Sequence, residues 1–198
     1  MGLEMRAIVR VLALALCGSL PAALILCTDA LADAAQDCRT GSPDLRLGGC
    51  SRLLQEARTP RQRAIALDGR CWANNDRNAF AEALMDCNSA ISADAQYPYS
   101  YHNRGIAYAG LNNPSAAINE FNRAIAMRPN FFNTLLNRAK AYLSLGNTAA
   151  AIRDYEDVLR LKPDNEEARS ALATLRAATP SQMGSSAANS LCGAPGCN

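Results

Sequence analysis

The chain has 198 residues, 49% of them hydrophobic, enough for one domain with a buried core and appendages. Its formal charge is +2 with 19% charged residues, and Lys140 and Lys162 are its only lysines. That balance, with no basic stretch interleaved with aromatics, excludes the electrostatic footprint of a nucleic-acid-binding protein.

Residues 1–32 read as an export signal. Arg6 and Arg10 form a basic start, an apolar run from Val11 to Cys27 follows, and Ala30-Leu31-Ala32 gives the A-x-A cleavage pattern before Asp33. Gly18, Ser19 and Pro21 interrupt the run. The competing reading is an uncleaved anchor, which would need about 20 apolar residues and would be the chain's sole link to a membrane. Cleavage would remove Cys17 and Cys27 from the eight cysteines and leave six. An even number in an exported chain points to disulfides and to a periplasmic or secreted location.

Residues 33–63 form a cysteine-bearing lead-in. A polar loop is expected over 33–43, followed by a helix opened by Ser42 as N-cap, Pro43 at the first helical position and Asp44 in the first turn. Leu47, Cys50, Leu53 and Leu54 share one face of that helix. Thr59-Pro60 opens the next helix in the same way.

From there the chain repeats itself every 34 residues. Tyr108 recurs as Tyr142, Ala117 as Ala151, Phe121 as Tyr155 and Pro129 as Pro163. Stepping back by the same period exposes a degenerate copy, with Cys71 opposite Gly105, Ala83 opposite Ala117 and Cys87 opposite Phe121. Three units result, 64–97, 98–131 and 132–165, each a helix, a turn and a second helix. Asn112-Asn113-Pro114 and Leu145-Gly146-Asn147 supply the turns within units. A capping helix over 166–179 follows, with Glu166 and Glu167 in its first turn and an apolar stripe of Ala168, Ala171, Leu172 and Leu175. Residues 180–198, rich in Ser, Ala and Gly, are expected to be a disordered tail.

These motifs resemble the tetratricopeptide-repeat family, most clearly in the Asn103-Arg104-Gly105-Ile106-Ala107-Tyr108 run and the Ala-Ile-x-x-Phe/Tyr that follows it. The resemblance covers 64–165 strongly and the flanking helices weakly. It implies an all-α solenoid of about three helix–turn–helix units, with an N-terminal helix and a capping helix. The signal followed by a cysteine-bearing segment is similar to small exported tetratricopeptide proteins of Gram-negative bacteria. Such arrays bind a protein or peptide on the concave face lined by first helices.

Two further patterns ride on the period. Arg70, Arg104 and Arg138 recur, and each is followed 16 residues later by an acid, Asp86, Glu120 or Asp154. An Arg–carboxylate ladder between paired helices is expected. Cys71 takes the small-residue place of its first helix and Cys87 the aromatic place of its second, places that face each other in an antiparallel pair. A Cys71–Cys87 bridge is therefore expected, with Cys38 and Cys50 as a second pair. Six cysteines permit many connectivities, and spacing alone does not choose among them.

No catalytic motif is visible, and the chain is read as a binding protein rather than an enzyme, without cofactor or metal. No C-x-x-C pair accompanies the lone His102, which argues against zinc and against thiol–disulfide catalysis. The candidate groove residues are Trp72, Tyr99, His102, Asn103, Ile106, Asn133, Leu136, Asn137 and Lys140, all on first helices away from the small-residue contacts. The alternative is an accessory subunit that docks by its convex face or its ends.

Overall fold

A computed structural model of the protein describes residues 21–178, with side chains from residue 30 to residue 177. Most of the expected signal peptide, the side chains of Cys17 and Cys27, and the tail with Cys192 and Cys197 lie outside the described residues.

The described residues form nine helices and no strand: α1 (Pro21–Thr40), α2 (Pro43–Glu56), α3 (Pro60–Asp76), α4 (Phe80–Ala93), α5 (Pro98–Gly110), α6 (Pro114–Met127), α7 (Phe132–Ser144), α8 (Thr148–Leu161) and α9 (Glu166–Ala178). Helices α1–α6 belong to one compact body that ends at Met127, and α7–α9 to another that begins at Arg128. Successive helices pack as neighbours within each body. Among the described residues no helix is long and apolar enough to cross a membrane.

The expected loop over 33–43 is a correction. Residues 33–40 are the last turns of α1, and the break is confined to Gly41 and Ser42. The polar side chains misled because only Ala34 and Cys38 of that stretch are buried, as suits a helix with one narrow covered face. Ser42 holds the N-cap position of α2 but its side chain makes no capping bond, whereas Pro43 and Asp44 stand as expected. Thr59 caps α3 fully. Its hydroxyl accepts from the Gln62 amide while the Gln62 side chain accepts from the Thr59 amide, a reciprocal box.

The turns inside the helix pairs share one backbone device. Asn78, Asn112 and Gly146, spaced by the repeat, have φ of 58°, 57° and 71°. Asparagine and glycine are the residues that tolerate this left-handed conformation. Asn113 and Asn147 then cap the second helices through their side chains, which accept from the amides of Ala116 and Ala150 at 3.1 Å. The degenerate copy has Ala79 there and no such bond.

The core is set by the facing small and large places of each pair. Gly105 lies against Phe121, so closely that a Cβ on Gly105 would collide with the ring. Phe121 is fully buried, and Ala139 and Tyr155 occupy the corresponding places in the second body. In α3 and α4 the same places hold Cys71 and Cys87, whose sulfurs lie 2.07 Å apart, packed with Ala83, Ala107 and Leu84. Cys38 on α1 and Cys50 on α2 bring their sulfurs to 1.95 Å.

The Arg–carboxylate ladder is present in all three pairs. Arg70 meets Asp86 at 3.2 Å, Arg104 meets Glu120 at 2.6 Å and Arg138 meets Asp154 at 2.6 Å. These contacts are substantially covered. The side chains of Arg104 and Glu120 are 13% and 10% exposed, so water screens them far less than a surface pair. The degenerate copy adds Asn74, in the lost tyrosine's place, whose amide donates to Asp86 at 2.9 Å.

Candidate functional site: the exposed face of the first helices

The first helices α3 and α5 lie in one body, and each buries residues on both flanks. What remains open on α3 is Ile65 and Trp72, seven residues apart on one helical face and 42% and 39% exposed. The repeat carries these places to Tyr99 and Ile106 on α5, both half-buried.

Trp72 is not a free ring. The Arg46 guanidinium from α2 stacks over it at 3.4 Å from the ring centroid, and Arg46 Nη1 reaches Asp76 Oδ2 at 2.5 Å. Arg46 is itself buried, so its attraction to the indole acts with little water between them. Tyr99 sits beside Tyr97, with ring centroids 5.1 Å apart, and the Arg61 guanidinium covers Tyr97 at 4.2 Å. Arg61 also bonds Asp94 at 2.7 Å, which holds that carboxyl below its ordinary range.

Three expected groove residues are corrected. His102 is buried, with its ring 6.0 Å from that of Phe121. Burial pushes its pKa down to about 4. Asn103 is buried too, and its side-chain amide donates to Asp68 Oδ1 at 2.9 Å while its backbone carbonyl accepts from the Asn75 side chain at 2.8 Å. These bonds clasp α3 to α5, so Asn103 holds neighbouring first helices together. Leu136, at the place equivalent to His102, is buried in α7. For Asn103 the physical reason is that α3 and α5 pack on each other, and for His102 that its ring turns towards Phe121 of its own helix pair.

The remaining candidates stay reachable. Ile106 and Asn137 are half-buried and Asn133 is exposed. Lys140 is exposed but engaged with Glu167 at 2.6 Å.

Sequence reasoning missed three participants. Ile65 is one repeat before Tyr99, so the period itself could have found it. Arg46 stands four residues before Cys50, on the covered side of α2, but no pattern marks an arginine as the partner of a tryptophan 26 residues away. Asp68 is buried between α3 and α5, and that burial raises its pKa to about 7 against the opposing hydrogen bond of Asn103. Among the described residues no group of three or more His, Cys, Asp or Glu could hold a metal.

Residues 102–166 match the family described as Tetratricopeptide repeat. No curated protein matches the chain. Among solved structures, it is similar to the first TPR of Spaghetti (RPAP3) bound to HSP90 peptide SRMEEVD, with 28% identity and a TM-score of 0.59, over 62% of this chain and 98% of that one. It is similar to the second TPR domain of the human RPAP3 protein, in complex with HSP70 peptide SGPTIEEVD, with 25% identity and a TM-score of 0.56, over 59% and 98%. It shares its fold with MamA at 20% identity and a TM-score of 0.61, over 71% and 80%.

Proposed function

We propose that this tetratricopeptide-repeat protein is a binding scaffold that takes a protein or peptide segment on the exposed face of its first helices. The observation that carries the reading is the run of Ile65, Trp72, Tyr99 and Ile106 along α3 and α5, apolar and aromatic side chains left partly exposed beside packed flanks. Tryptophan and tyrosine anchor interfaces because they remove much apolar area while losing little rotamer freedom. The similarity to domains bound to chaperone peptides supports a peptide or protein as the ligand class. The role is binding rather than catalysis.

The chain is proposed to act outside the cytoplasm, in the periplasm or secreted. The basic and apolar start with its A-x-A pattern supports this, as do two cysteine pairs at bonding distance, which we read as the disulfides Cys38–Cys50 and Cys71–Cys87.

A second reading has its own observation. Met85 on the second helix α4 is 70% exposed, and a partner docking on second helices would cover it. Photo-crosslinkers placed at Ile106 and at Met85 of the full chain separate the two. The first-helix reading expects capture from Ile106 that Trp72→Ala abolishes. Capture from Met85 alone, or capture indifferent to Trp72, would overturn it in favour of an accessory subunit.

A further inference from the structure

The contact between α2 and α3 has two adjacent rungs. In the first, α3 gives up its side chain at Gly69 so that the Cys38 and Cys50 sulfurs can lie against its backbone. A Cβ added there would collide with Cys50 Sγ and lie 2.9 Å from Cys38 Sγ. In the second rung Arg46 stacks on Trp72 and bonds Asp76. Arg46 precedes Cys50 by four residues on α2, and Trp72 follows Gly69 by three on α3. One turn along each helix therefore joins the rungs, running in opposite directions as antiparallel packing requires.

Among the described side chains the α1–α2 pair buries few apolar groups, and the Arg52–Asp37 ion pair at 2.8 Å lies at its more exposed edge. Its buried residues among those described are Ala34, Cys38, Arg46, Gly49 and Cys50, so the two sulfurs are most of its apolar interior. Reduction replaces one covalent bond by a non-bonded contact between two thiols, which need more room than a cystine. The Gly69 backbone blocks that room on one side. With that side closed, separating sulfurs push their helices away from α3.

We propose that the Cys38–Cys50 cystine is a redox latch for the Trp72 surface: its reduction to two thiols drives α2 away from Gly69 and lifts Arg46 off the indole. The step takes two electrons and two protons from a dithiol, which leaves as its own disulfide; the Cys38–Cys50 bond breaks and two S–H bonds form. An oxidising compartment then presents Trp72 under the guanidinium, and a reducing one presents a bare indole. The proposal rests on the cysteine pairing inferred above, and peptide mapping of the unreduced protein tests that pairing by itself.

Trp72 is the only tryptophan in the chain, so intrinsic fluorescence of the full-length protein reads this surface without a label. Adding dithiothreitol is expected to shift the emission to longer wavelength and to raise quenching by acrylamide. Cys38→Ser with Cys50→Ser is expected to show the shifted emission without reductant. Cys71→Ser with Cys87→Ser is expected to keep the oxidised emission until dithiothreitol is added. Gly69→Ala guards against simple unfolding: it keeps the cystine yet pushes it from α3, and is expected to shift the emission with helical circular dichroism unchanged. Identical emission and quenching in both redox states, or oxidised-type emission from the Cys38/Cys50 double variant or from Gly69→Ala, would overturn the latch. Mapping that finds Cys38 and Cys50 unlinked in the oxidised protein would overturn it together with the pairing.

Discussion

At the scale of single residues, the charges buried between helices are where substitution has the largest expected effect. Arg104 and Glu120 are both largely covered, so Arg104→Ala strands a carboxylate and is expected to cost about 3 kcal/mol in urea unfolding. Arg104→Glu should cost more, and adding Glu120→Arg should restore a substantial part. A double-mutant cycle without coupling would show that the pair fixes nothing. His102 and Asp68 make opposite contributions to the pH dependence of stability. His102 has a folded pKa of about 4 against 6.5 ordinarily, so the unfolded chain binds more protons and stability is lost as pH falls from 6.5 towards 4. Asp68 has a folded pKa of about 7 against 3.8, so its contribution is full below 3.8 and is lost as pH rises through 7. The two slopes oppose each other in one body. Asp68→Asn should therefore steepen the acid-side fall of the urea midpoint relative to wild type. His102→Gln should leave a midpoint that declines as pH rises from 4 to 7.

At the scale of helices, the pairs are closed by shape. Gly105→Leu would drive a side chain into the Phe121 ring and should cost about 1–3 kcal/mol or more, read as a lowered thermal midpoint. Thr59→Ala would remove one half of the box at the start of α3 and should cost about 1 kcal/mol. This scale was also the most legible in the sequence. The second helices, the turn asparagines and the Arg–acid spacing all follow from the period, because each is a contact inside one repeat. The residues misread as groove lining, His102, Asn103 and Leu136, differ in kind. Their burial depends on tertiary packing, for Asn103 on how α3 meets α5, and a period records what recurs rather than what covers it. The end of α1 was lost for a related reason, since the stretch 33–40 is covered only at Ala34 and Cys38 and leaves almost no apolar rhythm to find.

At the scale of the molecule, the repeats supply a frame and leave a few large side chains outside its core, which the proposed function uses for recognition. Trp72→Ala should leave unfolding cooperative while weakening partner capture. A tryptophan at the centre of an interface is typically worth about 2 kcal/mol or more, some thirtyfold in affinity, measurable by competition against the wild-type chain. That Trp72 stands partly exposed on its first helix could be read from the repeat; that an arginine from the preceding pair covers it could not. The left-handed turns at Asn78, Asn112 and Gly146 carry a last consequence, one of gene rearrangement. Because every pair reverses direction at the same phase, excision of residues 79–112 splices α3 directly onto α6 through an unchanged hinge. The hybrid would keep its ladder rung, with Arg70 now opposite Glu120, and would set Cys71 against Phe121 in place of a cystine. Recombination between such turns trades a covalent filling for an aromatic one while the frame stays in step, so a chain of this kind is able to drop its second cystine by shuffling alone while Cys38, Cys50 and Trp72 stay in place.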